Sequence, residues 1–110
     1  MSRSSTTMTE GASLLTGLRP VHPGEILRDE LAEIYVSADA LARAIDIPSD
    51  QIAEILEEKR DMTADMALRL AYYFGTSARF WLNLQQSYDL ALIEQTRGSE
   101  IAGTVRPYAA

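Results

Sequence analysis

The sequence predicts an all-α domain. Three observations carry that expectation. Apolar residues recur at spacings of three and four, as in Ile26, Leu27, Leu31 and Ile34, and again in Trp81, Leu84, Tyr88 and Leu92. Residues suited to starting and stopping helices punctuate those runs: Ser37, Ser49, Thr63 and Ser77 at the starts, Gly75 and Gly98 at the ends. No stretch shows the polar–apolar alternation of a half-buried strand, and no internal repeat is present. A chain of 110 residues with 46% apolar content is the size of one domain with one core.

In chain order, residues 1–20, rich in Ser, Thr and Gly, read as a flexible N-terminal arm, with Leu14, Leu15 and Leu18 as the residues able to anchor it. The first helix begins near Pro23-Gly24-Glu25. Proline suits an early helical position, and Glu25 meets the positive end of the helix dipole. Ser37 caps the second helix. Ser49, behind Pro48, caps the third, and Thr63 caps the fourth. The fourth helix turns Met66, Ala67, Leu70 and Ala71 inward, with Asp65 and Arg69 as an i,i+4 pair on its surface. Ser77 caps a long last helix that runs to Arg97, before Gly98. The domain therefore spans residues 21–98, and residues 99–110 are a short tail.

The segment from Ser37 to Arg60 has the pattern of a helix-turn-helix. Leu41, Ala42 and Ile45 form the apolar face of its first helix, Asp46 sits at the bend, and Ile47, Ile52 and Ile55 fill the angle between the two helices. Ala42 is small enough for a close crossing. Such a pair places its second helix in a DNA major groove. The charge argues the other way. Residues 25–60 hold four basic and ten acidic side chains, and so carry a net -6, equal to the charge of the whole chain. Asp50, Glu54, Glu57 and Glu58 lie on the helix that would face DNA. An acidic surface of this kind solubilises a protein or docks a basic partner.

Other chemistries find little support. There is no cysteine, so no disulfide framework and no thiolate metal site, which is compatible with a cytoplasmic setting. No apolar run approaches the roughly 18 residues of a membrane span, and Arg3 has no apolar core behind it to make a signal peptide. His22 is the only histidine. Beside Glu25 it lacks the partners of a metal site, and a helix-start or packing role is expected instead. No serine or threonine has a base and an orienting group, and no glycine-rich phosphate loop is present. No enzyme activity, cofactor, metal or small-molecule substrate is expected. Trp81 with Tyr88 follows helical spacing and reads as core or as a dimer seam rather than a ligand box.

Several runs resemble one known family. They are His22-Pro23-Gly24-Glu25-Ile26-Leu27, Ala67-Leu68-Arg69-Leu70-Ala71, Tyr73-Phe74-Gly75-Thr76-Ser77, Phe80-Trp81-Leu82-Asn83-Leu84-Gln85 and Tyr88-Asp89-Leu90. In combination they resemble the HigA-type antitoxins of the Xre helix-turn-helix group over roughly residues 20–107. The resemblance implies a five-helix, lambda-repressor-like domain. It also implies a homodimer that neutralises a small basic toxin of the RelE/HigB-like class, a ribosome-dependent messenger-RNA endonuclease, and that binds its own operator DNA to repress its operon. The chain departs from the family at Asp46 and Glu58, where members usually carry glycine. Asp tolerates a left-handed backbone, whereas a glutamate there costs roughly 1 kcal/mol unless the helix ends differently.

Site expectations follow from the two readings together. Ser49, Asp50, Gln51, Ala53 and Glu54 occupy the base-facing surface, and Arg43, Lys59 and Arg60 are placed for phosphates. Asp29, Glu30 and Glu33 on the first helix are expected to meet the toxin. Trp81, Leu84, Tyr88 and Leu92 are expected to form a dimer seam, because the stripe is longer than a short core can cover. The alternative is a toxin- or protein-binding module that has lost strong DNA binding through its acidic third helix.

Overall fold

Residues 19–109 are described in the structure, a computed structural model. The arm residues Leu14, Leu15 and Leu18 lie outside the described residues. Among the described residues five α-helices follow one another: α1 (Pro23–Ile34), α2 (Ala38–Ile45), α3 (Ser49–Leu56), α4 (Ala64–Phe74) and α5 (Ala78–Thr104). No strand occurs among the described residues, and no helix there is long and apolar enough to cross a membrane. The all-α expectation holds.

Local chemistry sets most boundaries. His22 is the N-cap of α1, where its Nδ1 accepts a hydrogen bond from the Gly24 amide at 2.9 Å and Pro23 needs no amide partner. The imidazole is buried and meets the edge of Tyr88 at 4.9 Å between ring centroids. The expected helix-start and packing role is therefore its role. The hydroxyls of Ser37, Thr63 and Ser77 accept from the amides of Ala40, Met66 and Phe80 at 3.1, 3.2 and 3.1 Å, capping α2, α4 and α5. Ser49 does not cap α3. Pro48, with φ -57° and ψ 140°, takes the cap position and leaves Ser49 as the first helical residue, without a side-chain cap bond. Proline's fixed φ supplies the extended entry one residue earlier than a serine cap would.

Among the described residues four positions reverse the chain with positive φ: Tyr35 (58°), Asp46 (59°), Glu58 (64°) and Gly75 (74°). Gly75 and Asp46 were expected from their types. Tyr35, which ends α1, was not, because a left-handed tyrosine has no sequence signature. The turn it makes frees the Val36 amide to reach the Leu31 carbonyl at 3.0 Å.

Val21–Asp89 form one compact unit. Its core is built on Leu27, Leu41, Ile52, Ile55, Ala67 and Leu70, all with no exposed surface, and is closed by Trp81 at 1% exposure. That burial takes Trp81 out of the expected dimer seam. Trp81 is spent inside its own chain, beside Phe74 at 5.9 Å. Leu84 is half-buried against the same core, and Tyr88 is half-buried on His22. Helices of eight residues cannot enclose a core unaided, so the first turns of α5 complete it. Gln85, 6% exposed, accepts from the buried Met62 amide at 2.6 Å and donates to Asp89 at 2.9 Å and Asp61 at 3.3 Å. This ties α5 to the segment between α3 and α4.

Residues from Leu90 onward belong to a second unit. There α5 does not stop before Gly98 but continues to Thr104. A helical glycine costs about 0.5–1 kcal/mol relative to alanine but does not by itself end a helix. The Arg97–Glu100 pair at 3.1 Å and the Thr104 hydroxyl on the Glu100 carbonyl at 2.7 Å accompany the continuation. Pro107 disfavours helix at the residue before it, which accounts for the end. Leu90, Leu92, Ile93 and Ile101 are exposed on this part of the helix.

Candidate nucleic-acid interface

The α2–turn–α3 pair has the geometry that the sequence predicts. Asp46 in the left-handed region ends α2, and the Ile47 amide reaches back to the Ala42 carbonyl at 3.0 Å. Ile47 packs partly buried against the core and directs the chain into α3. Buried Ala42, at 3% exposure, leaves room for α3 to cross α2, and Ile52 and Ile55 point from α3 into the core without exposed surface. The opposite side of α3 faces outward.

Three contacts from outside the pair hold α3 in place, and sequence reasoning anticipated none of them. Gly24 in the first turn of α1 lies against the C-terminal end of α3, where an ideal Cβ would stand 1.9 Å from the Ile55 carbonyl oxygen. Only a residue without a side chain permits that approach. Arg28, one turn further along α1, donates through Nη2 to the Leu56 carbonyl at 2.6 Å and satisfies an end group of α3. Arg69 of α4 holds the turn itself. Its Nη1 donates to the carbonyls of Ile45 at 2.8 Å and Asp46 at 3.3 Å, while its Nε donates to Asp65 Oδ1 at 2.6 Å. The hydrogen bond and charge of Asp65 push the guanidinium pKa up, so Arg69 stays a cation facing the negative end of α2. The i,i+4 pair was legible as a surface pair. Its reach across 24 residues to Ile45 was not.

The residues expected at DNA lie on or beside α3. Ser49 and Asp50 are exposed in its first turn, and Gln51, Ala53 and Glu54 are half-buried behind them. Arg43 projects from α2 and lines an open cleft with Asp39, Asp46, Pro48 and Ser49. It forms no ion pair among the described residues. Lys59 and Arg60 behave differently. Beyond α3 the chain turns back through Glu58, and the Lys59 amide bonds the Glu54 carbonyl at 2.8 Å. Of the two alternatives open at Glu58, a left-handed glutamate or a helix that ends differently, the first is present, with φ 64°. The turn sets Arg60 over Glu54, with Nη2 at 2.6 Å and Nε at 2.8 Å from Oε1. Lys59 lies 3.4 Å from Glu57. Two of the three cations placed for phosphate are therefore paired with acids, Glu54 on α3 and Glu57 at its C-cap. Asp29, Glu30 and Glu33 are exposed along α1.

No protein-family model matches the chain. It is 51% identical over 80 residues to "Virulence-associated protein I" of Dichelobacter nodosus, covering 72% of this chain and 74% of that protein. Among solved structures, it resembles an addiction module antidote protein of a HigA family from Coxiella burnetii, with a TM-score of 0.81 and 47% identity. That match covers 83% of this chain and 100% of the other. It also resembles the Pseudomonas aeruginosa antitoxin HigA, solved with the higBA promoter, with a TM-score of 0.79, 48% identity and the same two shares.

Proposed function

The chain belongs to the HigA-type antitoxin family of Xre helix-turn-helix proteins, and from that membership we propose that it binds the operator of its own operon as a homodimer and neutralises a basic RelE/HigB-like endonuclease toxin. The observation that carries the DNA half of this reading is the placement of α3. Gly24 and Arg28 hold its C-terminal end and Arg69 holds the turn that leads into it, and its outer face, with Ser49, Asp50, Gln51, Ala53 and Glu54, is turned away from the core. The relative solved with its promoter has the same fold at 48% identity.

The toxin half rests on charge. A ribonuclease of this class presents basic surfaces to RNA, and Asp29, Glu30 and Glu33 offer an exposed acidic row on α1. A dimer seam lies further along α5 than Trp81. Leu92 is exposed there, with Leu90 and Ile93 beside it, while Leu84 and Tyr88 contribute what surface they keep. Two-fold pairing would set two copies of α3 about one DNA turn apart.

The pairing of Arg60 with Glu54 and of Lys59 with Glu57 favours a second reading, a toxin-binding module that no longer holds DNA strongly. Titration of the promoter duplex across salt separates the two. Each phosphate contact contributes about -0.9 to the slope of log affinity on log salt. A dimer using Arg43 alone gives a slope of about -2, and one that also recruits Lys59 and Arg60 gives about -5. No binding at low salt, with the toxin still bound, establishes the second reading. The toxin half is tested by co-purification with a RelE/HigB-like toxin encoded in the same operon, and failure to bind it removes the proposed neutralising role.

A further inference from the structure

We infer that Glu54 is an intramolecular competitor of the DNA backbone for Arg60, so that affinity for DNA is set by the exchange of one carboxylate for one phosphate on the same guanidinium. The inference rests on the operator-binding reading above. Nε and Nη2 of Arg60 converge on a single carboxylate oxygen of Glu54 at 2.8 and 2.6 Å. Carboxylate and phosphate are the two anions that a guanidinium fork holds best, and they satisfy the same donors. The pair is delivered by the backbone rather than by chance side-chain reach. Glu58 at φ 64° turns the chain, the Lys59 amide closes on the Glu54 carbonyl at 2.8 Å, and Arg60 emerges over the side chain of that same Glu54. A residue that ended α3 without this reversal would send Arg60 elsewhere. The left-handed glutamate is thus part of the device.

The pair is also built to open. Its two side chains keep 42% and 44% of their surface exposed, so solvent screens it and separating it costs little. It lies at the C-terminal end of the helix proposed to face DNA, where the Nε–Nη2 edge of the guanidinium is already taken. A phosphate gains that edge of the fork by displacing Glu54. Lys59 is a looser case, at 3.4 Å from Glu57 and 71% exposed, and as a point charge it moves freely between partners.

The test uses the full chain as wild type, Glu54→Gln, Arg60→Ala and the double variant, each checked for folding by circular dichroism. Binding to the promoter duplex and to a scrambled duplex of the same length is followed by fluorescence anisotropy at several salt concentrations. Glu54→Gln is expected to tighten binding about two- to five-fold per protomer and to steepen the salt slope by about 0.9 per protomer. Both duplexes respond alike, because phosphates carry no sequence. In the Arg60→Ala background most of that gain disappears. An undiminished gain without Arg60 overturns the inference in favour of simple repulsion between Glu54 and DNA, and a gain confined to the promoter overturns it in favour of base reading by Glu54. Both of those results leave operator binding standing. If neither wild type nor any variant binds either duplex at low salt, the operator reading itself has failed and the exchange falls with it.

Discussion

Replacing Gly24 by alanine tests how α3 is held. The added methyl would stand 1.9 Å from the Ile55 carbonyl oxygen and 2.9 Å from its carbon, both backbone atoms that cannot rotate away. Relief requires the start of α1 to lift from the end of α3. The lift disturbs the His22 cap on the Gly24 amide and the Arg28 bond to Leu56. Overpacking of this kind costs about 1–3 kcal/mol. Alanine's better helix propensity returns about 0.5–1 kcal/mol. The net expectation is a loss of about 1–2 kcal/mol, or about 5–15 °C in Tm for a domain of this size. Thermal and urea unfolding followed by circular dichroism at fixed protein concentration measure it. Gly98→Ala is the matched control, since the nearest atom to its Cβ is Glu94 Cβ at 4.0 Å. It should raise amide protection in the distal part of α5. A Gly24→Ala protein as stable as wild type would refute the argument that this close approach positions α3.

Gln85→Ala should cost about 1–3 kcal/mol in urea unfolding, because the buried Met62 amide loses its acceptor. Thr63→Ala should cost about 1 kcal/mol through loss of the α4 cap, whereas Ser49→Ala should change stability little, since Ser49 caps nothing. Replacing Asp29, Glu30 and Glu33 together by alanine should slow association with the toxin at low salt and converge with wild type at high salt; identical rates in stopped flow at low salt would exclude that face. Moving the seam away from Trp81 predicts that Leu92→Glu weakens self-association in sedimentation with little effect on thermal stability, while Trp81→Ala unfolds the protein first, at a cost of about 3–5 kcal/mol.

Much of this protein is written in short-range chemistry and is legible in the sequence alone. Helix periodicity needs only the spacing of apolar residues, and the caps at Ser37, Thr63 and Ser77 act over three residues. The bend at Asp46 and the stop at Gly75 follow from which residue types tolerate positive φ. Where sequence reasoning failed locally, Pro48 took the cap from Ser49, and α5 ran on to Thr104 because a helical glycine does not by itself stop a helix. Interactions across the chain were beyond its reach. Arg28 meets Leu56 over 28 residues, Arg69 meets Ile45 over 24, and Gln85 meets Met62 over 23. A polar side chain has the same identity whether it faces water or a distant carbonyl, so spacing alone cannot separate the two. Trp81 shows the same limit, because a helical stripe marks what must be covered but not what covers it. Which cations beside the acidic third helix are already paired is likewise beyond the sequence. Net charge is a property of composition, while the pairing of Arg60 with Glu54 depends on a backbone reversal at Glu58 that only the folded chain supplies.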